Sequence, residues 1–391
     1  MVKLQLFCRM VSLIYRNDKE SLTTKKTDND MKRLFAIISM VMVAIAASVQ
    51  ISAKDVTASE KVLKKIYNVK DFKGLSAVGA FDVEYSYGEP LVVVSGPDNI
   101  VPLLEVKLVG TTLQLAMQKG VSINYGINKP SLVVKVSSRH LVSASLTGPG
   151  DMKILSPLNE ESFAGLLHGS GDFETSAISA KKCSLDFNGS GDMSVGGAVI
   201  TDEFSIDMHG SGDVKVKSAS AVNCNLNTTG SGDFEIGQLR ATKDINLSVR
   251  GSSDTKIALI DAANINCSAF GSGDIEVGSV GAQSLSVSLS GSGSIEMKRV
   301  KTDALVCDVV GTGDVELQGT TSTANYTING TGCIKAFKMA AVAVKASVHG
   351  TGSICCNAQS SLTSSIEGPG DITYSGNAKV TSATKKQPRK R

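Results

Sequence analysis

From about residue 140 to residue 378, apolar and polar positions alternate with period two, and glycine interrupts the alternation at regular intervals. Take the first glycine of each interruption as position zero. Positions −6, −4 and −2 are then apolar, as in Phe204, Ile206 and Met208 or Leu285, Val287 and Leu289. The alternation resumes at +4 and +6, as in Val214 and Val216, Phe234 and Ile236, or Ile275 and Val277. Position +5 is mostly charged: Glu174, Lys215, Glu235, Lys256, Glu276, Glu296, Glu316 and Lys335. Period two predicts strands with one face inward, whereas a helix would need three- and four-residue spacing. A further apolar residue near +9 (Ile178, Leu239, Ile260, Val280, Val300) predicts a third short wall.

The interruption is itself a motif, Gly-Ser-Gly-Asp. It stands unaltered with Gly169, Gly171 and Asp172; Gly189, Gly191 and Asp192; Gly210, Gly212 and Asp213; Gly230, Gly232 and Asp233; and Gly271, Gly273 and Asp274. Variants begin at Gly148, Gly251, Gly291, Gly311, Gly330, Gly350 and Gly368, so that twelve copies follow one another at intervals of 18 to 21 residues. A fixed period this short marks stacked repeats. Each repeat reads as a strand, a tight corner and a second strand. The corner glycines reach positive φ without penalty and let neighbouring backbones approach; Gly212, the second glycine of a mid-rod motif, is expected to need such a conformation. Three walls in about 20 residues, stacked at the ~4.8 Å strand spacing, predict an all-β parallel β-helix of about twelve coils. The alternative is a propeller or prism in which the motif is a hairpin turn. Propeller blades need about four strands in roughly 40 residues and usually carry aromatic signatures, and this chain has no Trp and 5% aromatics.

Outside the repeats the chain divides further. Met31-Lys32-Arg33, the apolar run Leu34–Ala47 and the small residues before Lys54 read as a secretory signal peptide over 31–53, too short for a comfortable membrane span. Residues 1–30 then read as an upstream start rather than part of the protein. Residues 54–65 are expected to be a linker and 66–146 an N-terminal β cap covering the open edge of the solenoid. In the cap, Val78–Tyr85 and Leu91–Val94 are expected as strands around Gly88-Glu89-Pro90, with a helical turn in Pro97–Leu104. Residues 147–378 form the β-helix, and 379–391 are expected to be a disordered basic tail.

Charge alters the picture once the leader is set aside. Residues 54–391 carry 32 Lys and Arg against 33 Asp and Glu, and Lys385–Arg391 alone contribute five positive charges. The folded body is therefore acidic, which argues against a nucleic-acid partner.

Together the Gly-Ser-Gly-Asp repeats, the strand pair of Val78–Val94, the Pro97-Asp98-Asn99 turn and the leader resemble the head GIN-domain family. That family comprises adhesin-like secreted proteins of Bacteroidetes-type bacteria. The resemblance covers about residues 66–378. It implies a right-handed parallel β-helix exported from the cytoplasm, and it brings no catalytic residues. The chain departs from the motif at Ser294, Cys333 and Ser353.

The candidate chemistry is sparse. Stacked carboxylates in the Asp column (Asp151, Asp172, Asp192, Asp213, Asp233, Asp254, Asp274, Asp314, Asp371) would repel at ~4.8 Å unless locally satisfied. Each is expected to cap its own corner by accepting backbone N–H bonds; Ca²⁺ bound between coils is the sharper alternative. The Ser/Thr column beside it (Ser170 to Thr351) suits tight corners, although a hydroxyl ladder could also meet sugars. His168, His209 and His349, at position −1, read as solvent-facing. Cys183, Cys224, Cys267 and Cys307 take inward positions, two coils apart in pairs, beyond disulfide reach. They read as buried thiols. No catalytic set, cofactor or metal is expected. The sequence favours an exported, non-enzymatic surface or periplasmic protein that binds glycan or protein through a β-helix face. A polysaccharide lyase or hydrolase and a mechanical spacer are the alternatives. The near-constant interval leaves no repeat with the long loops that such enzymes use to build a cleft.

Overall fold

The computed structural model describes residues 54–126, 129–384 and 386–391. The leader and the residues before it lie outside these. Among the described residues the architecture is all-β: parallel coils stacked into a solenoid of about twelve turns. Each coil lies in register on the one before, as in Phe204↔Cys224, Ile206↔Leu226 and Gly210↔Gly230. The first wall precedes the corner, a short second wall follows it (Phe173–Thr175, Met193–Val195), and a third wall bends into the next first wall within one strand, as in Ile178–Gly189.

The interval varies between 18 and 21 residues without disturbing the corners. The ladder slips at the bends between walls: in the earlier coils between the third and first, where Ala180 pairs with Ile200 but Lys182 with Glu203, and in later coils between the second and third, as between Met297 and Val300. A bulge there takes up the difference in length, so every Gly-x-Gly stays above the last.

Inside, the alternating apolar positions form columns. One runs Phe163, Cys183, Phe204, Cys224, all buried. Another runs Cys267, Val287, Cys307, Tyr326, Ala346. Successive coils are ~4.8 Å apart, so large rings cannot all stack in one column, and a small residue between them keeps the core filled. The cysteines hold those small places. The Tyr326 hydroxyl is buried without a hydrogen-bond partner, and burial raises its pKa well above the ordinary value.

Three features of the ends and corners differ from the sequence reading. First, residues 54–65 are not only a linker. Lys54–Thr57 pairs in parallel with Val121–Asn124, and Val62–Asn68 pairs antiparallel with Leu91–Pro97. The strand expected over Val78–Tyr85 is broken into Gly74–Val78 and Asp82–Tyr87. Between them Gly79-Ala80-Phe81-Asp82 is a further corner, lying directly under Gly148-Pro149-Gly150-Asp151. The helical turn is a short 3-10 segment, Val101–Leu103. Antiparallel strands (Leu104–Val109 on Thr112–Met117, Leu91–Pro97 on Val133–Ser138) close the parallel stack at this end.

Second, the described residues of the basic tail continue the stack as strands. Lys379–Ser382 stacks on Ser361–Ser364, and Arg389–Lys390 stacks on Thr373–Tyr374, forming a partial last coil. Its corner lacks glycine. Lys386 donates to the carbonyls of Pro369 and Gly370 in the corner below, Arg389 pairs with Asp371, and the Arg391 guanidinium lies over the Phe337 ring. These bonds take up open backbone and charge that a disordered tail would have left to water.

Third, the two corner glycines serve different purposes. Gly210 has φ of +146° and Gly212 has no such backbone. A Cβ on Gly212 would lie 1.6 Å from the Gly191 carbonyl oxygen and 2.6 Å from the Phe187 ring. Close approach of coils, not backbone conformation, requires glycine at the second position.

Candidate binding walls and corner column

The corner positions the Asp column, and the bonds run between coils rather than within one. The Asp151 carboxylate accepts the Asp172 N–H at 3.0 Å, Asp172 that of Asp192 at 2.9 Å, Asp192 that of Asp213 at 2.9 Å and Asp213 that of Asp233 at 2.9 Å. Asp233 serves Asp254, Asp254 serves Asp274 and Asp274 serves Ser294. This corrects the expected cap on the residue's own corner. A carboxylate that receives an amide proton from the next coil offsets the repulsion along the column. Among the described residues, no group of three or more His, Cys, Asp or Glu side chains could hold a metal ion.

The second wall carries a ladder of charge at +5. Lys153 pairs with Glu174 at 3.6 Å, Lys215 with Glu235 at 3.4 Å and Lys335 with Asp314 at 2.7 Å. Lys298 reaches Glu276 at 2.7 Å, and that bond lowers the Glu276 pKa. These pairs are exposed and screened by solvent, so each stabilises the fold little.

The outward face of the first wall falls into two parts. In the coils up to Gly271 polar side chains at −5, and one pair at −3, bond to one another. Asn246 donates to Asn225 and Asn266 to Asn246, both at 2.9 Å; Asn227 donates to Asp207 at 2.8 Å, and Ser205 to Ser184. Asp186 lies in the same field. Its pKa is raised by desolvation, opposed by the nearby His168 and His209 and reinforced by Asp207. His349 sits 3.1 Å from Glu367. In the coils of Gly291 and Gly311 the ladder stops. Ser288, Ser290 and Asp308 have no hydrogen-bond partner among the described residues, and Phe270, Val306 and Val310 are exposed beside them. An open groove of about 630 Å³ follows the corners here, lined by Gly251, Ser252, Gly271, Ser272, Gly291, Ser292, Gly311 and Thr312. The sequence reading singled out the corner column and passed over this patch, although Phe270 and Val310 are apolar residues in an otherwise polar −1 column.

The five buried thiols of the described residues are held in their protonated form. Burial pushes Cys183 and Cys307 up, and Cys224, Cys267 and Cys356 up to about 12. Cys333 and Cys355 are partly exposed. No helix of the described residues is long and apolar enough to cross a membrane, which says nothing of strands.

A family model described as "Putative auto-transporter adhesin, head GIN domain" matches residues 71–258 and 256–378. The chain belongs to that family. Solved structures similar to it include a "putative adhesin" of Bacteroides fragilis, 19% identical, covering 84% of this chain and 94% of its own, with a TM-score of 0.29. One from Parabacteroides merdae is 17% identical over 86% and 97%, with a TM-score of 0.28. Another, from Parabacteroides distasonis, is 20% identical over 82% and 100%, with a TM-score of 0.35. No match is found among curated proteins. Within the head GIN-domain family this chain combines a long corner column with three positions, Ser294, Cys333 and Ser353, that lack the aspartate.

Proposed function

We propose that the protein is an exported, non-catalytic binding or adhesion protein that presents the outward walls of its solenoid to a glycan or protein at the cell surface, in the periplasm or outside the cell. The observation that carries this reading is the first wall: a long, flat, polar face built from the same positions of successive coils, with no inserted loop over it. Repeated coils create extended surfaces of this kind. Family membership supports export and adhesion. The lyase or hydrolase reading lacks a cleft, because intervals of 18 to 21 residues leave nothing to wall one.

The test is binding of the 54–391 chain to arrays of glycans and of extracellular-matrix proteins. Reproducible binding to either supports adhesion; binding to neither overturns it and leaves the spacer reading. Export is tested by N-terminal sequencing of fractionated protein. A start near Lys54 supports it, and a cytoplasmic chain retaining residues 1–30 overturns it.

A further inference from the structure

At position −1 of the first wall, Arg250, Phe270, Ser290 and Val310 lie in register on four successive coils. The Arg250 guanidinium stands over the Phe270 ring, 4.7 Å from its centre, and holds it on one side. On the other side the row drops to Ser290 and rises again at Val310, 47% exposed. Phe270, 40% exposed, and Val310 therefore face each other across a gap of two coil spacings, ~9.6 Å. A ring placed over Ser290 would lie ~4.8 Å from each wall. A flat aromatic ring, whose contact distance is about 3.5–4.0 Å, would fit loosely. A puckered pyranose, with axial C–H groups on both faces, fills the gap.

The rim has the matching chemistry. Ser288, Ser290 and Ser292 present hydroxyls, and Asp308 presents a carboxylate; none is bonded within the described residues. Before Phe270 the −5 side chains and the Asn227–Asp207 pair at −3 are tied to one another, whereas the −1 side chains of His168, Asn188, His209 and Thr229, like Ser290, make no side-chain hydrogen bond among the described residues. The groups at the rim are free to meet ring hydroxyls. The corner groove runs alongside the gap, parallel to the stack, and offers a path for neighbouring residues of a chain. Asp274 and Asp314 are engaged by the Ser294 N–H and Lys335, so among the described residues Asp308 is the unpaired carboxylate beside the gap, and it disfavours an anionic sugar there.

We propose that the gap between Phe270 and Val310 over Ser290 is a binding site for a neutral pyranose residue of a glycan chain. This rests on the adhesion reading and names its site and ligand class.

The experiment uses the 54–391 chain with cellotetraose and maltotetraose, read by saturation-transfer NMR and calorimetry, alongside the arrays. Phe270→Ala removes one wall. Ser290→Phe fills the gap while keeping a continuous row of side chains, so it tests the site without opening the surface. Both are expected to weaken binding of the tetrasaccharide, or of a neutral array glycan, at least tenfold, with melting temperatures within about 2 °C of the parent. Asp308→Asn is expected to weaken it several-fold. Undiminished glycan binding by Ser290→Phe overturns the site while leaving adhesion standing. Binding only to proteins, or only to acidic glycans, also overturns the site. Binding to nothing on either array overturns the site together with the adhesion reading.

Discussion

The corners from Asp151 to Asp274 and those from Ser294 onward carry out the same turn with different hydrogen bonds. In the earlier group the +3 N–H donates to the carboxylate of the coil below, and the second-wall strand begins one residue later, at Met152, Phe173, Met193, Val214, Phe234, Thr255 or Ile275. Where the aspartate below is missing, the +3 N–H turns to the glycine carbonyl beneath it, as Asp314 does to Gly293, Ser353 to Gly332 and Asp371 to Gly352. In every corner from Ser294 onward the strand begins at +3, at Ser294, Asp314, Cys333, Ser353 and Asp371, although the Ser294 N–H still donates to Asp274 and the Cys333 N–H is shared between Asp314 and the Gly313 carbonyl. Closeness changes with it. A Cβ on Gly212 would stand 1.6 Å from the carbonyl oxygen below, but one on Gly352 would stand 2.5 Å away. A side-chain acceptor lets the corner press down on the one beneath; a backbone acceptor needs ordinary ladder spacing. The aspartate is thus one of two solutions for the same N–H, which is why the column tolerates gaps.

The largest effect should come from the close approach. Gly212→Val forces the coils apart and is expected to lower stability by about 3 kcal/mol or more, with Gly352→Val costing measurably less. Ser253, the one non-glycine at this position in the Asp-bearing corners, is accommodated with its hydroxyl donating to the Gly232 carbonyl, so Gly212→Ser should be milder than Gly212→Val. Denaturant melts of the four chains give the ranking. Equal losses at 212 and 352 would erase the distinction between the two groups of corners.

Next comes the acceptor itself. Asp213→Ala leaves the Asp233 N–H to water and should cost about 1 kcal/mol, in the range of a lost helix cap. Asp213→Asn keeps an acceptor and should stay within about 0.5 kcal/mol. Ser353→Ala should do likewise, because Asp371 N–H already bonds Gly352 at 3.0 Å. Hydrogen exchange at Asp233 and Asp371 sharpens this: Asp213→Ala should speed exchange at 233, and Ser353→Ala should leave 371 unchanged.

Smaller again is the end of the column. Arg389→Ala removes the cation on Asp371 and should lower stability only slightly, with faster exchange confined to the last coil. Smallest is Lys215→Val. Its partner Glu235 is 3.4 Å away and both are exposed, so a change within about 0.5 kcal/mol is expected. A loss as large as that of Gly212→Val would mean that the +5 face is not the outward one.

Much of the solenoid was legible because its cause is local. Alternation fixes which face of a strand is apolar, and a constant interval requires each coil to repeat the last. Val214 and Lys215 illustrate this: one is buried and the other exposed, as their neighbours in sequence require. The cysteine positions were legible for the same reason, since Cys183 and Cys267 occupy apolar places in the alternation.

What escaped was set by contacts between coils. Gly79-Ala80-Phe81-Asp82 was not recognised as a corner because 69 residues separate Gly79 from Gly148 and only one glycine remains. It becomes a corner by lying under the next one. Lys385–Arg391 reads as a charged tail, since five of its seven residues are Lys or Arg, yet Asp371 and the Pro369 and Gly370 carbonyls give Arg389 and Lys386 partners. The sequence by itself determined the coil, its period and its inward face, because those follow from periodicity within 20 residues. Only the tertiary structure decided where each corner N–H finds its acceptor, how closely corners approach and where Phe270 and Val310 leave a gap. Those depend on residues a full coil apart, whose side chains meet only once the coils are stacked.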